Sequence, residues 1–318
     1  MEVKVTDHHL AFVFPGQGSQ AVGMLAGLAA VHPEVEATFG FASEVLGYDL
    51  WDLVQHGPAE RLNQTIHTQP AMLAAGVAAW RVWCRQTQVR PGWLAGHSLG
   101  EYTALVCAGA LDFQAAVRLV EERARLMQEA VPADVGAMAA ILGLGDAEVV
   151  EVCARASSDS EIVTAANFND PKQIVIAGDK AAVMRAVDLA KAAGAKRAVV
   201  LPVSVPSHCP LMKPAAGRFA PVLDATAIAP PTFAVVHNVD VATHPEPAAI
   251  RAALAQQLHG AVRWADSVRY MSQQGVDRYV ECGPGKVLAG LNKRIVPEAK
   301  TESLFDPASL AKALELAP

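Results

Sequence analysis

Charge is scarce in this chain. Lys, Arg, Asp and Glu make up 18% of its 318 residues, against 52% hydrophobic. That balance excludes a disordered or polyelectrolyte segment and suits a well-buried α/β core. The net charge is −6, which argues against a general nucleic-acid surface while leaving local basic patches open. Cysteine is sparse as well. The five, at 84, 107, 153, 209 and 282, form no C-x-x-C pair and are odd in number, so they are read as reduced thiols of a cytoplasmic protein. A membrane-length apolar run is missing: the most apolar stretch, Ala71 to Trp80, meets Arg81 far short of a span. Met1 to Asp7 has no apolar signal core. No His-Glu-x-x-His or similar ligand spacing occurs, so no metal site is expected. Internal repeats and low-complexity tracts are also absent. The length allows one large domain or two modest ones.

What is present centres on Gly96-His97-Ser98-Leu99-Gly100. A short apolar run, Trp93-Leu94-Ala95, precedes it, and a helical pattern from Glu101 follows. Gly-x-Ser-x-Gly between strand and helix is the signature of a nucleophile elbow. The glycines leave room for a sharp turn, and the following helix aims its free N–H groups and positive dipole end at the serine. A hydroxyl placed there becomes a nucleophile once a base removes its proton. The bland alternative is an ordinary glycine-rich loop.

Upstream, Leu10 to Phe14 reads as a buried strand running into Pro15-Gly16-Gln17-Gly18-Ser19-Gln20-Ala21. Gly16-x-Gly18-x-x-Ala21 formally matches a dinucleotide fingerprint. Residues 22–47 read as helical instead of supplying the second strand and its terminal acid, so that reading is rejected. A glycine-rich turn at a strand end can still present backbone N–H groups to an oxyanion. Residues 47–86 read as mostly helical, with Thr68-Gln69-Pro70 opening the helix 71–84 and Gln69 a polar residue at its start.

Downstream of the elbow, Asp112 is a good N-cap for a helix to about Ala130. Its apolar stripe comprises Ala115, Ala116, Leu119, Val120, Leu126, Met127 and Ala130, and Arg123 falls in the middle of it. The other charges lie off the stripe, with Arg118/Glu122 and Glu121/Arg125 expected as surface pairs. A guanidinium on a buried face needs an anion: either a structural carboxylate or the carboxylate of a substrate.

Residues 134–204 read as strand 136–142, helix 147–156, strand 162–167, strand 173–177, helix 180–193 and strand 197–203. This β-α-β-β-α-β order is ferredoxin-like and looks like a small subdomain inserted in a larger one, with Asn167 and Asn169 at its central turn. The chain returns through Val205-Pro206-Ser207-His208-Cys209-Pro210, a stiff loop presenting His208. Among ten histidines, spacing alone does not choose the base. Strands are expected at 233–236 and 278–280, and helices at 211–224, 247–258, 264–274 and 286–296.

Taken together these pieces resemble the malonyl-CoA:acyl carrier protein transacylases over about Ala11 to Val296. The resemblance rests on six motifs in order: Pro15-Gly16-Gln17-Gly18-Ser19-Gln20, Thr68-Gln69-Pro70-Ala71, Gly96-His97-Ser98-Leu99-Gly100-Glu101-Tyr102, Asn167-Phe168-Asn169, Val203-Ser204-Val205-Pro206-Ser207-His208 and Gly283-Pro284-Gly285-Lys286-Val287-Leu288. It implies an α/β fold: a hydrolase-like large subdomain (1–133 and 205–318) with a parallel sheet core and nucleophile elbow, and a ferredoxin-like small subdomain (134–204). It implies Ser98 as acylated nucleophile, His208 as general base, and Arg123 as clamp on the malonyl carboxylate. Gln17 and Leu99 would supply oxyanion-hole N–H groups, and the Gln257 backbone carbonyl would orient the imidazole. Gln69 and Asn169 would line the site. The strand-end pair His237-Asn238 carries no assigned role. The implied substrates are malonyl-CoA and acyl carrier protein, which brings its own phosphopantetheine. No metal or bound cofactor, no nucleic acid, no membrane and a cytoplasmic monomer are expected. Carrier docking is expected near Lys196, Arg197, Lys286, Lys293 or Arg294. Rival readings are a discrete acyltransferase of a polyketide or malonate decarboxylase system, a serine thioesterase or hydrolase using Asp134, Asp146, Asp170 or Asp179, and a non-catalytic carrier-binding module.

Overall fold

The computed structural model describes residues 5–132, 134–202 and 205–317. Among the described residues, nine strands form two sheets: β1 (Val5–Phe14), β2 (Val89–Gly96), β3 (Gly136–Leu142), β4 (Val163–Asp170), β5 (Gln173–Asp179), β6 (Arg197–Val200), β7 (Ala234–Val236), β8 (Arg278–Cys282) and β9 (Lys300–Leu304). The larger sheet runs β7-β2-β1-β8-β9 with every pairing parallel. Parallel strands need crossover helices that cover both faces, so the central strand carries an uninterrupted apolar run. Leu10 to Phe14 of β1 are all fully buried. Phe12 packs edge-on against Trp83, with centroids 4.8 Å apart, and against Trp80 at 5.5 Å. The Trp83 indole N–H donates to the Val89 carbonyl at 2.9 Å, which lets a polar ring edge enter the core.

The smaller sheet runs β4-β5-β3-β6 and is antiparallel throughout. With helices Asp146–Ala156 and Lys180–Ala192 it has the ferredoxin-like arrangement, and it buries its own apolar cluster around Ile141, Ile174 and Ile176. Its edge strand β4 docks on the larger body. The Phe168 N–H reaches the Val262 carbonyl at 2.9 Å, and the Val262 N–H reaches the Ala166 carbonyl at 2.8 Å. The Asp170 carboxylate meets Arg294 at 2.6 Å. Ala133, Val203 and Ser204, at the expected exit and re-entry points of the insertion, lie outside the described residues.

Several elements differ from the sequence expectation. The helix expected from Ala71 begins at Thr65 and runs to Gln86, with Pro70 inside it and Gln69 buried on it. Pro70 is the sixth residue of this helix, past the turn whose N–H groups have no intrahelical partner, so it leaves the Ile66 carbonyl without its usual donor. The buried Thr68 hydroxyl bonds the Leu62 carbonyl at 2.6 Å and so ties the first turns to the preceding helix. Strand β9 and the final helix Pro307–Leu314 were not expected. The strand is Lys-Thr-Glu-Ser-Leu, an edge strand whose identity comes from pairing with β8 and not from an apolar run.

Candidate active site

Strand β2 ends at Gly96, and the helix Gly100–Cys107 begins four residues on. Ser98 between them has φ 51°, a left-handed conformation costly for a side-chain-bearing residue. A Cβ on Gly96 would strike the Gly100 carbonyl carbon, and one on Gly100 would strike the Phe14 carbonyl oxygen. Both glycines are therefore required by close approach. The turn is braced from outside: the Ser98 N–H donates to Asn238 Oδ1 at 2.7 Å, and Asn238 Nδ2 donates to the Gly96 carbonyl at 2.7 Å. The Ser98 N–H is thus engaged. The backbone N–H groups of Gln17 and Leu99 make no hydrogen bond among the described residues. Gly16, next to Gln17, lies against the His97 carbonyl.

His208 arrives on its proline-flanked loop with φ 62°. Its Nε2 is 2.7 Å from Ser98 Oγ, and its Nδ1 is 2.7 Å from the Gln257 carbonyl oxygen. A carbonyl can only accept, so the ring proton sits on Nδ1 and the Nε2 lone pair faces the serine hydroxyl. Burial, reinforced by the Arg123 charge, lowers the His208 pKa from 6.5 to about 3. The imidazole is neutral at physiological pH, the state a base must have. In the unfolded chain it titrates near 6.5. Its neutral form therefore contributes stability that is complete above that pH and is lost as pH falls from 6.5 toward 3. Between pH 6.5 and 5 the loss is about 2 kcal/mol. Denaturant unfolding should show wild type losing that much more stability than His208→Gln over this interval. Equal acid sensitivity of the two would contradict the depressed pKa.

Arg123 projects from the helix Phe113–Ala130, which Asp112 caps by accepting from the Ala115 N–H at 3.0 Å. The side chain is 1% exposed. One terminal nitrogen donates to Gln69 Oε1 at 2.8 Å. The other donates to Gln257 Oε1 at 2.9 Å and to Ser98 Oγ at 3.2 Å. The guanidinium lies 5.3 Å from the centre of the Tyr102 ring, within cation–π range. Among the described residues, no carboxylate is paired with it. A buried cation held only by neutral dipoles is poised for an anion. Elsewhere on this helix, Arg125 pairs with Glu122 and Glu129. Neither Arg118/Glu122 nor Glu121/Arg125 forms among the described residues, because Arg125 takes both Glu122 oxygens and reaches on to Glu129.

The acyl transferase domain family matches residues 11–304. The chain belongs to this family. It is 58% identical to the malonyl CoA-acyl carrier protein transacylase of Escherichia coli (strain K12), over 96% of this chain and 99% of that protein. An acyl carrier protein S-malonyltransferase from Vibrio cholerae superimposes with a TM-score of 0.93 at 57% identity, covering 96% of this chain and 99% of that one. A malonyl-transacylase solved in complex with a type II PKS acyl-carrier protein superimposes at 0.95 with 56% identity, covering 97% and 99%.

In this acyl transferase the expected site residues do not all meet at one point. Ser98, His208, Arg123, Gln69 and Gln257 form one hydrogen-bonded cluster. Asn169 stands one step away: its Oδ1 is 2.8 Å from His97 Nε2, across the junction of the two sheets. His97 is thus engaged by Asn169, with no hydrogen bond to the serine hydroxyl among the described residues. The Gln17 side chain turns to Thr65 Oγ1 at 3.4 Å, leaving only its backbone near the elbow. Glu101, His237 and Asn238 escape the sequence reading as site residues, although Glu101 belongs to the elbow motif and His237-Asn238 to a strand end. All three are buried. The Glu101 carboxylate accepts from His237 Nδ1 at 2.7 Å and from the Asn238 N–H at 3.0 Å. A charged residue directly after an elbow, at a position the helix must bury, was the available signal. Of the basic docking candidates, Arg294 is engaged by Asp170, and Lys286 lies over the Phe305 ring at the opposite end of the helix Val287–Ile295 from Lys293 and Arg294. Among the described residues, no helix is long and apolar enough to cross a membrane.

Proposed function

We propose that the protein transfers malonyl from malonyl-CoA to the phosphopantetheine thiol of acyl carrier protein through a malonyl-Ser98 ester. Ser98 Oγ attacks the thioester carbonyl while His208 Nε2 takes its proton. The tetrahedral oxyanion is held by the N–H groups of Gln17 and Leu99, where each such donor contributes about 2.7–4 kcal/mol. The C–S bond breaks, and His208 returns the proton to the departing coenzyme A thiolate. In the second half the carrier thiol gives its proton to His208 and attacks the serine ester. Collapse returns that proton to Ser98 Oγ and releases malonyl-carrier protein. Arg123 grips the malonyl carboxylate in a two-pronged pair, Gln69 and Gln257 aim its fork, and Asn169 lines the approach through His97. No residue of this scheme calls for a metal or bound redox group. On this reading the chain divides into a catalytic body (1–133, 205–318) and an inserted body (134–204), and the contact between Asn169 and His97 links the inserted body to the elbow.

The observation that carries this reading is the buried Arg123 fork, unpaired with any described acid and 3.2 Å from the nucleophile. An apolar-ester hydrolase has no use for it. A hydrolase triad also lacks support, since His208 Nδ1 faces a backbone carbonyl and not Asp134, Asp146, Asp170 or Asp179. Asp134 pairs with Lys180, Asp170 with Arg294, and Asp179 accepts from the Ile162 N–H. Incubation with malonyl-CoA alone should release one burst of coenzyme A and leave malonyl on Ser98. Adding carrier protein bearing phosphopantetheine should then produce malonyl-carrier protein at steady turnover. Free malonate as the main product would replace this reading with hydrolysis. In the same assay, charge reversal at Lys196 and Arg197 should raise KM for carrier protein and leave KM for malonyl-CoA unchanged. A shift in neither would move the docking face elsewhere.

The carrier's pathway is a separate matter. The product supplies extender units for fatty acid synthesis. A second reading, a discrete acyltransferase serving a polyketide carrier, is favoured by the likeness to the transacylase bound to a type II PKS carrier. A panel of carrier proteins at fixed malonyl-CoA separates the two by kcat/KM.

A further inference from the structure

The Glu101 carboxylate takes no part in the two-step chemistry, yet it is one hydrogen bond from the side chain that holds the chemistry together. Gln257 touches every working group. Its main-chain carbonyl holds His208 Nδ1, its Oε1 accepts from Arg123 at 2.9 Å, and its Nε2 donates to the Ser98 carbonyl at 3.0 Å. The fourth contact of this residue is Nε2 to Glu101 Oε2, at 2.8 Å.

An amide can sit in its pocket either way round, and its neighbours choose. Here Oε1 must face a guanidinium, which can only donate, so Nε2 must face acceptors. Glu101 supplies the charged one. Its two oxygens receive three donors: His237 Nδ1, the Asn238 N–H and Gln257 Nε2. His237 Nε2 is buried without a partner among the described residues, which keeps that ring's proton on Nδ1, pointing at Glu101. All three hydrogen bonds at Glu101 therefore run in one direction, from donors onto this carboxylate.

We propose that Glu101 is a positioning residue for substrate selection: it fixes and polarises the Gln257 amide, and through it sets the Arg123 fork. Charge acts along the same line. Burial disfavours the charged guanidinium, while Tyr102 and Glu101 act in its favour. With Glu101→Gln the negative charge is gone, and an NH2 group enters a point where three donors already converge. If that group turns toward Gln257, the neighbouring amide must rotate its own NH2 against Arg123. If it turns toward His237, the ring proton must move to the unpartnered Nε2, and Gln257 still loses its polarising charge.

The inference rests on the malonyl-transfer reading, and its test keeps the two apart. Rates of acyl-Ser98 formation are measured with malonyl-CoA and with acetyl-CoA for wild type, Glu101→Gln, Arg123→Ala and the double variant. Glu101→Gln should lower the malonyl/acetyl ratio of kcat/KM about tenfold, mainly through KM for malonyl-CoA. In the Arg123→Ala background the same change should leave the ratio within about twofold. An equal fall with both substrates, or an undiminished effect without Arg123, would make Glu101 a support of the elbow alone and overturn the inference. Wild type that forms no malonyl-Ser98 would strike the functional reading instead. Should Glu101→Gln fail to fold, Glu101→Asp serves: it keeps the charge, loses reach to Gln257 Nε2, and must lower the ratio in the same direction. An unchanged ratio there overturns the inference equally.

Discussion

Ser98→Ala, His208→Ala and the double variant should all lose release of coenzyme A from malonyl-CoA by on the order of 10⁴–10⁶-fold, with little additivity among them. The reason lies in one 2.7 Å hydrogen bond between Ser98 Oγ and His208 Nε2. Without the base the hydroxyl is a weak nucleophile, and without the hydroxyl the base has nothing to activate. Residual turnover reflects substrate binding and the backbone donors of Gln17 and Leu99. Single-turnover release of coenzyme A measures the loss, and a serine-reactive probe locates it. Labelling that persists in Ser98→Ala would place the nucleophile elsewhere. Losses that multiply in the double variant would mean that the two side chains act independently. A carrier-binding module without chemistry would show no burst in wild type either.

Arg123→Ala should cut malonyl transfer by about 10²–10³-fold, the cost of leaving a buried carboxylate without its partner charge. Acetyl transfer should rise relative to it. In wild type an acetyl group leaves the guanidinium desolvated beside an apolar methyl, and such polar mismatch can reject a substrate by about 10⁴–10⁵-fold. Removing the cation removes both the grip and the penalty. The helix should persist, since its apolar stripe and the Asp112 cap are untouched. Gln69 and Gln257 lose the donor they share, which leaves their carbonyl oxygens free to bind water. The comparison is kcat/KM for malonyl-CoA and acetyl-CoA with one carrier protein. Undiminished malonyl kinetics in the variant would retire the clamp.

Legibility varied with how local the controlling interaction was. The elbow could be read because its strand, two glycines and helix are contiguous. Arg123 could be read because a charge in a 3.6-period apolar stripe is visible within four turns. The inserted sheet was readable nearly strand by strand, since β3, β4 and β5 are short apolar runs bounded by turn residues. The outer half of β1 and all of β9 were not, because partly exposed or polar strands derive their identity from the neighbour they pair with. Resemblance alone singled out His208 among the histidines. In the sequence Glu101 is only the first residue of the helical pattern after the elbow, because its partners are 136 and 156 residues away along the chain.

By itself the sequence determined the serine at the elbow, the helix that buries a cation, and the β-α-β-β-α-β order of elements in the inserted unit, because these follow from backbone sterics and side-chain periodicity over short stretches of chain. The tertiary structure decided what those groups do to one another. Only folding brings the Gln257 carbonyl behind His208, seats Glu101 beneath the same amide and leaves Arg123 among neutral oxygens. Hydrogen bonds act over about 3 Å, and no local pattern records which distant segments will come that close.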